Sequence, residues 1–354
     1  MAVGHAVQKF VRSFDVDRLA KWDAMHPGNA VRTLFARWAM PGIGSTFDAP
    51  LRLGVRDRYV NFYIAGQSVA RLRWESGGPK VSVHRAYVEG RARGSGDRAG
   101  TLLGKNYEQY DADALASARV TKLIGGWITT ARTYATAEKR FVDRLIEANP
   151  GVIDLEMGLP AGSLAKGGKA APRMDLVVAQ RAPEGPVSIA FWEAKCSING
   201  ELRSKAEYAE CPNGDYKAGP KVIHQLRKYA RWMCVDDRFR EVQRAYRDTA
   251  VILLGFHRIW KSSHRPACVS IWERLAASDT AAVILPPGVV IGNYCPPGHT
   301  RSDPAEARSF ERSKETFRPE HHEKLVRQAI TVHEIAGKHH DHALPLLPAG
   351  RVSV

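Results

Sequence analysis

The stretch MDLVVAQRAPEGPVSIAFWEAK, Met174 to Lys195, decides how this chain is read. Two apolar runs joined by a Pro/Gly turn predict a pair of strands. Both runs carry charge, with Asp175 near the start of the first and Glu193 and Lys195 at the end of the second. An acid or an amine in a water-avoiding strand is costly unless it is paired, hydrogen-bonded or on a metal. Strand side chains alternate between faces, so Glu193 and Lys195 point the same way and Ala194 points the other. A hairpin of this length brings Asp175 opposite Glu193. Two carboxylates then converge with an ammonium beside them and the Ala194 carbonyl close by.

Two carboxylates, a carbonyl and several waters suit a hard dication such as Mg²⁺, with Mn²⁺ as a substitute. Lys195 can position or deprotonate an attacking water and stabilise charge on a phosphate, while the metal lowers the water's pKa. That is the machinery for cutting a phosphodiester.

Working outward, ITTARTYATAEKRFVDRLIEANP (128–150) has helical periodicity and ends at Asn149-Pro150. On a wheel of about 100° per residue, Glu138 shares the apolar face with Val142 and Leu145, whereas Glu147 falls opposite as an ordinary surface acid. VIDLEMG (152–158), PRMDLVVA (172–179) and VSIAFWEAK (187–195) read as three strands, KVIHQLRKYARWM (221–233) as a helix, and TAVILLGF (249–256) as a fourth, fully buried strand.

This constellation resembles the PD-(D/E)xK nuclease superfamily. Asp175 and Glu193-Ala194-Lys195 are separated by a spacer of seventeen residues within a helix, three strands, helix, strand order. Gln225-Leu226-Arg227-Lys228-Tyr229 looks like the Q-x-x-x-Y element of the RecB-like branch, with Gln and Tyr one turn apart. Met174 stands where the family has proline, and Pro172 is displaced upstream. The resemblance implies an α/β restriction-endonuclease-like core (αβββαβ, a mixed central sheet flanked by helices). It further implies that Asp175, Glu193 and the Ala194 carbonyl bind metal, that Glu138 is the helix acid acting through a water, that Lys195 is catalytic, and that Gln225 and Tyr229 line the site.

The expected organisation is a β-rich N-terminal module at 1–110, the nuclease core at 111–265 and a mixed C-terminal extension at 266–354. LRLGVRD, RYVNFYI, SVARLRW and KVSVHRA alternate as in an antiparallel meander. Its arginines (Arg56, Arg58, Arg71, Arg73) and aromatics (Tyr59, Tyr63, Trp74) form either a nucleic-acid face or a half-solvated sheet. EGRARGSGDRAGTLLGKN (89–106) reads as a linker able to touch phosphate. CSINGELRSKAEYAECPNGDYKAGPK (196–221) is long for a connection and flanks Lys195, so Arg203, Lys205, Lys217 and Lys221 are candidate substrate contacts. Trp192 and Trp232 are expected in the core. Near the C-terminus, AAVILPPGVVIGNY gives one or two short strands and ETFRPEHHEKLVRQAITVHEIAG a helix. His321, His322, His333, His339, His340 and His342 lack metal-ligand spacing and read as solvated.

Of 354 residues, 44% are hydrophobic and 25% charged, ordinary for a globular chain, and no apolar run reaches membrane-spanning length. Lys and Arg outnumber Asp and Glu by 52 to 37, a net +15 that favours a polyanionic partner, nucleic acid before acidic lipid. Five scattered cysteines without a C-x-x-C pair fit reduced thiols, and the N-terminus lacks a signal-peptide core, so the expected compartment is the cytoplasm. No P-loop motif is present, so an ATPase or helicase would be a separate partner; a homodimer is a further expectation. Metal-dependent cleavage of DNA is the leading function, with endo- and exonuclease action both open. The alternatives are a nuclease-like binding or scaffold module, and a defence effector whose nuclease is gated by a partner or ligand.

Overall fold

Alternation of apolar and polar residues builds the first half of the protein, and the computed structural model describes residues 9–43, 50–88, 107–113, 117–160, 173–181, 185–263, 265–292, 319–335 and 341–348. The architecture is mixed α/β. The chain forms two compact units, one from Val11–Leu155 and Arg244–Asp279 (the meander unit) and one from Met1–Phe10, Glu156–Gln243 and Thr280–Val354 (the hairpin unit). The boundaries expected at 110 and 265 do not coincide with these units, because the chain passes from one to the other twice inside regular elements.

In the meander unit, helices α1 (Val16–Met25) and α2 (Ala30–Ala36) come first, a feature absent from the β-rich expectation. Each is short and begins at a polar cap: Asp15 and Asn29 accept from the amides of Arg18 and Arg32. Strands β1 (Arg52–Val55), β2 (Tyr59–Ile64), β3 (Gln67–Glu75), β4 (Gly78–His84) and, after the short helix α3 (Arg85–Val88), β5 (Tyr107–Asp111) form an antiparallel sheet in sequence order. The β2–β3 connection is Ala65-Gly66, both with positive φ (43° and 69°), the two-residue turn whose twist suits a hairpin.

The helix expected from 128 to 150 is two helices, α4 (Ser117–Thr133) and α5 (Ala137–Ala148). Thr136 restarts the second by accepting from the Lys139 amide, a cap worth about 1 kcal/mol. On α5, Asp143 and Glu147 stand one turn apart and grip the buried Arg52 at 2.8 and 2.9 Å, so Glu147 is the partner of a core arginine.

The arginine-rich face of the meander is also only partly available. Arg56 and Tyr63 are buried, the guanidinium of Arg71 lies over the Tyr107 ring at 4.5 Å, and Arg18 covers Trp74 at 4.0 Å. Arg58 and Arg73 remain exposed. The Gly/Arg-rich segment 89–106 lies outside the described residues.

The second sheet has the order β13-β12-β8-β7-β6, built from β6 (Val152–Gly158), β7 (Arg173–Arg181), β8 (Val187–Cys196), β12 (Gly288–Gly292) and β13 (Val332–Ile335), with β11 (Ala282–Val283) also pairing β8. Strands β7 and β8 are antiparallel, as the hairpin reading expects, while β11 and β12 run parallel to β8 and β13 runs parallel to β12. Between β8 and β12 lie a 3₁₀ turn (Gly200–Leu202), a two-stranded ribbon of β9 (Ala209–Glu210) and β10 (Tyr216–Ala218), and helices α6 (Lys221–Met233), α7 (Asp236–Trp260) and α8 (Ala267–Ala276). The last helix among the described residues is α9 (Pro319–Val326).

TAVILLGF is therefore not the fourth strand, since residues 249–256 lie within α7. Burial in this helix falls at Val242, Ala245, Tyr246, Ala250, Leu253 and Phe256, the three-to-four spacing of one helical face, while Val251 is 51% exposed where a buried strand would hide it. Phe256 and Trp260 instead pack on Phe35, whose ring stacks on Trp260 at 4.0 Å.

The parallel neighbour of β8 comes from Gly288–Gly292. Glycine is required at 288 because a Cβ there would stand 2.7 Å from the Trp192 ring. The expected C-terminal helix also divides. It ends at Val326, Ala329 takes φ 57°, and the β-branched run that follows forms β13. Trp192 and Trp232 are in the core as expected; His321 and His342 are buried rather than solvated, and His339 and His340 lie outside the described residues. Among the described residues no helix is long and apolar enough to cross a membrane.

Candidate active site

The β7/β8 ladder runs from Arg181↔Val187 to Leu176↔Trp192 and stops there. Continuing the register by one residue sets Asp175 opposite Glu193, as the hairpin length implies. Beyond the last pair, Asp175 takes the place of a ladder partner, its Oδ2 accepting from the Ala194 amide at 2.9 Å. That bond fixes the carboxylate at the strand end.

Glu193 is only 1% exposed. Its Oε1 accepts from Lys195 Nζ at 2.6 Å and from Gln225 Nε2 at 2.9 Å. The lysine offsets the charge of the buried acid, which makes the burial tolerable. Gln225 has two amide protons to give, and its Nε2 also lies 3.4 Å from the Arg173 carbonyl. One glutamine of α6 thereby ties the glutamate of β8 to the start of β7.

The loop after β8 adds a carboxylate that periodicity could not reveal. Asn199 caps the 3₁₀ turn by accepting from the Glu201 amide, and Glu201 then reaches Lys195 at 3.4 Å and Lys221 at 3.3 Å. The result is a chain of polar contacts, Gln225 to Glu193 to Lys195 to Glu201 to Lys221. A turn signal, Ile-Asn-Gly-Glu, stands in the sequence; nothing in it tells where the glutamate points.

Of the remaining sequence candidates, Tyr229 is fully buried one turn beyond Gln225, and its hydroxyl donates to the Met157 carbonyl at 3.3 Å. Glu138 is half-buried in the first turn of α5 and belongs to the meander unit. Arg203, Lys205, Lys217 and Lys221 are all exposed.

A second polar cluster flanks α6. Tyr208 donates to Glu210, Arg231 pairs with the same carboxylate, and His224 Nδ1 lies 3.4 Å from the Tyr208 hydroxyl. Burial alone would raise the Glu210 pKa; the Tyr208 hydrogen bond and the Arg231 charge override it and hold the carboxyl below its usual range. Burial depresses the pKa of His224, assisted by Lys228 and Arg231 and opposed by Glu210.

Among the described residues no three His, Cys, Asp or Glu side chains form a protein-only metal cage. The carboxylates of Asp175 and Glu193 are the kind of ligand that Mg²⁺ takes, since that ion uses few protein oxygens and keeps several waters. The donor set is oxygen only, as that ion prefers. Comparison with protein-family models, with curated proteins and with solved structures returns no match.

Proposed function

We propose that the protein is a metal-dependent nuclease acting on DNA, with its site at the open end of the β7/β8 hairpin. The observation that carries this is the convergence of Asp175, Glu193 and Lys195, with Gln225 reaching the same glutamate from α6. The finer fold proposal is a PD-(D/E)xK-like core, in which neighbouring strands β6, β7 and β8, the last two antiparallel, are followed by a parallel strand. That last place is taken by β12 rather than by residues 249–256. The net charge of +15 suits a phosphate polymer.

Asp175, Glu193 and the Ala194 carbonyl would hold Mg²⁺ or Mn²⁺. When bound, the ion supplies an acidified water and neutralises charge on the scissile phosphate. The chain's own groups do the rest. Lys195 presents an ammonium next to the metal-binding acid, where it can orient the attacking water and stabilise a non-bridging phosphate oxygen. The Ala194 amide and Gln225 hold the two carboxylates in fixed rotamers, so little reorganisation is needed. Arg203, Lys205, Lys217 and Lys221 would meet backbone phosphates along the flank.

A binding or scaffold module is the second reading, favoured by the pinning of Lys195 between Glu193 and Glu201. Cleavage of covalently closed circular plasmid separates the two. Wild-type protein should nick or linearise the circle with Mg²⁺ or Mn²⁺, stop in EDTA, and lose the activity in Lys195→Ala. A circle that survives while its mobility shifts would instead support binding without endonucleolytic cutting.

A further inference from the structure

Lys324 of α9 is a charged side chain only 8% exposed, yet it faces no carboxylate among its hydrogen-bond partners. Its Nζ donates to three successive main-chain carbonyls, Ser204 and Lys205 at 2.8 Å and Ala206 at 3.4 Å. An ammonium has three protons, and three oxygens converge on it. These contacts span about 120 residues of sequence, so local chain geometry does not explain them. The same helix end makes two further ties: Arg327 pairs with Glu207 at 2.9 Å, and Gln328 accepts from Arg227 at 2.6 Å. Arg227 in turn lies over the Tyr208 ring at 5.0 Å. The loop closes on itself where Gly219, with φ 93°, lets its backbone approach Tyr208; a Cβ there would stand 2.4 Å from the Tyr208 Cα.

We propose that Lys324 is a positioning residue for the site, acting as the clamp of the segment from Glu201 to Glu207. At one end of that segment Glu201 contacts Lys195 and Lys221. At the other end its carbonyls are drawn onto Lys324, which leaves the side chains of Arg203 and Lys205 exposed. A flexible loop would lose the freedom of two long cationic side chains and of its own backbone on meeting a polyanion. A loop already fixed loses less, so the clamp increases affinity by preorganisation. This rests on the nuclease proposal for the identity of the ligand, a nucleic-acid backbone, but the clamp itself is read independently of activity.

The test uses the full-length protein and Lys324→Met, which keeps the side chain's length and removes its protons. Hydrogen exchange on the free protein should accelerate at least tenfold over residues 200–208 and stay unchanged over 189–195, with Lys324→Arg restoring part of the protection. In plasmid cleavage the same variant should raise KM about tenfold while kcat falls by less than threefold. Unchanged exchange over 200–208 overturns the clamp even if the wild type cuts DNA. Faster exchange with KM within twofold of wild type overturns the positioning role. If the wild type neither cuts nor binds DNA, the nuclease proposal fails and with it the role toward substrate, whereas the exchange result still decides the clamp. Should Lys324→Met not fold, Arg327→Ala cuts the neighbouring surface tie to Glu207 and should shift the same peptides by a smaller factor; no shift counts against the clamp.

Discussion

The meander unit and the hairpin unit each bury a carboxylate, and they treat it differently. In the meander unit Asp154 is fully buried and surrounded: Oδ1 accepts from Arg56 at 2.6 Å and from the Leu155 amide at 2.8 Å, and Oδ2 accepts from Arg12 at 3.1 Å and from the Tyr246 hydroxyl at 3.3 Å. Arg56, which burial alone would push down, is held above its ordinary pKa by Asp154, and it spends further protons on Val55 O, Leu155 O and Tyr63. Donors from four separate stretches of chain meet on one acid. In the hairpin unit the ion pair of Glu193 and Lys195 sits at a strand end, two residues apart, and its further contacts come from a loop and an amide side chain. The first cluster joins distant elements, which is what a structural ion pair does. The second is an ion pair within one strand, joined by a loop carboxylate and a helix amide.

The largest expected effect tests the first half of that contrast. Asp154→Ala leaves Arg12 and Arg56 buried without their counter-charge and should lower unfolding stability by about 3–5 kcal/mol in urea titration. A loss under about 1 kcal/mol would place Asp154 among replaceable groups and end the distinction.

Next comes the paired substitution Glu193→Gln with Lys195→Met, which removes both charges and nearly conserves volume. Replacement of a buried ion pair in this way is often neutral or stabilising. The urea midpoint should therefore hold or rise while plasmid cleavage falls about a thousandfold or more. A stability loss as large as that of Asp154→Ala would show the two clusters to be alike.

The smallest effect is on pH dependence. Burial lowers the pKa of His224 and His333 in the hairpin unit and of His84 in the meander unit. A histidine depressed in the folded state binds its proton more readily when unfolded, so stability is full above about pH 6.5, declines as pH falls below it, and levels off beneath the folded values. Two such residues against one predict that His224→Gln with His333→Gln flattens the urea midpoint between pH 7.5 and 5.5 more than His84→Gln does. The reverse order would mean that the meander unit is the more acid-sensitive.

The elements that surround the site were legible from the turn signals that bound the strands and from the helical period of α6. Short apolar runs rich in β-branched residues and bounded by Gly/Pro turn signals define β6, β7 and β8, and the apolar stripe of KVIHQLRKYARWM gives α6 at Lys221–Met233 as expected. TAVILLGF was ambiguous in kind, since a short unbroken apolar run carries neither period, and the helix that precedes it simply propagates through. Alternation sets Glu193 beside Lys195, and the hairpin brings Asp175 to the same end. Glu201 and Lys324 were not legible. One lies in an aperiodic turn, and the other recognises main-chain oxygens, which every residue has and no side-chain pattern advertises.

The order of the hairpin unit's strands has a consequence for synthesis. β12, the parallel partner of β8, lies roughly a hundred residues downstream, so a ribosome adding about 5–20 residues per second leaves that edge of β8 bare for roughly 5–20 s. An unpaired apolar edge is a template for another nascent chain, and an inward-pointing charge is one of the ways proteins discourage such pairing. Glu193 and Lys195 lie within the stretch that waits for β12, where they pair with Val289 and Ile291. Under the proposed function Glu193 would bind metal and Lys195 would meet phosphate in the finished protein; for those seconds the same two charges would act as gatekeepers against aggregation.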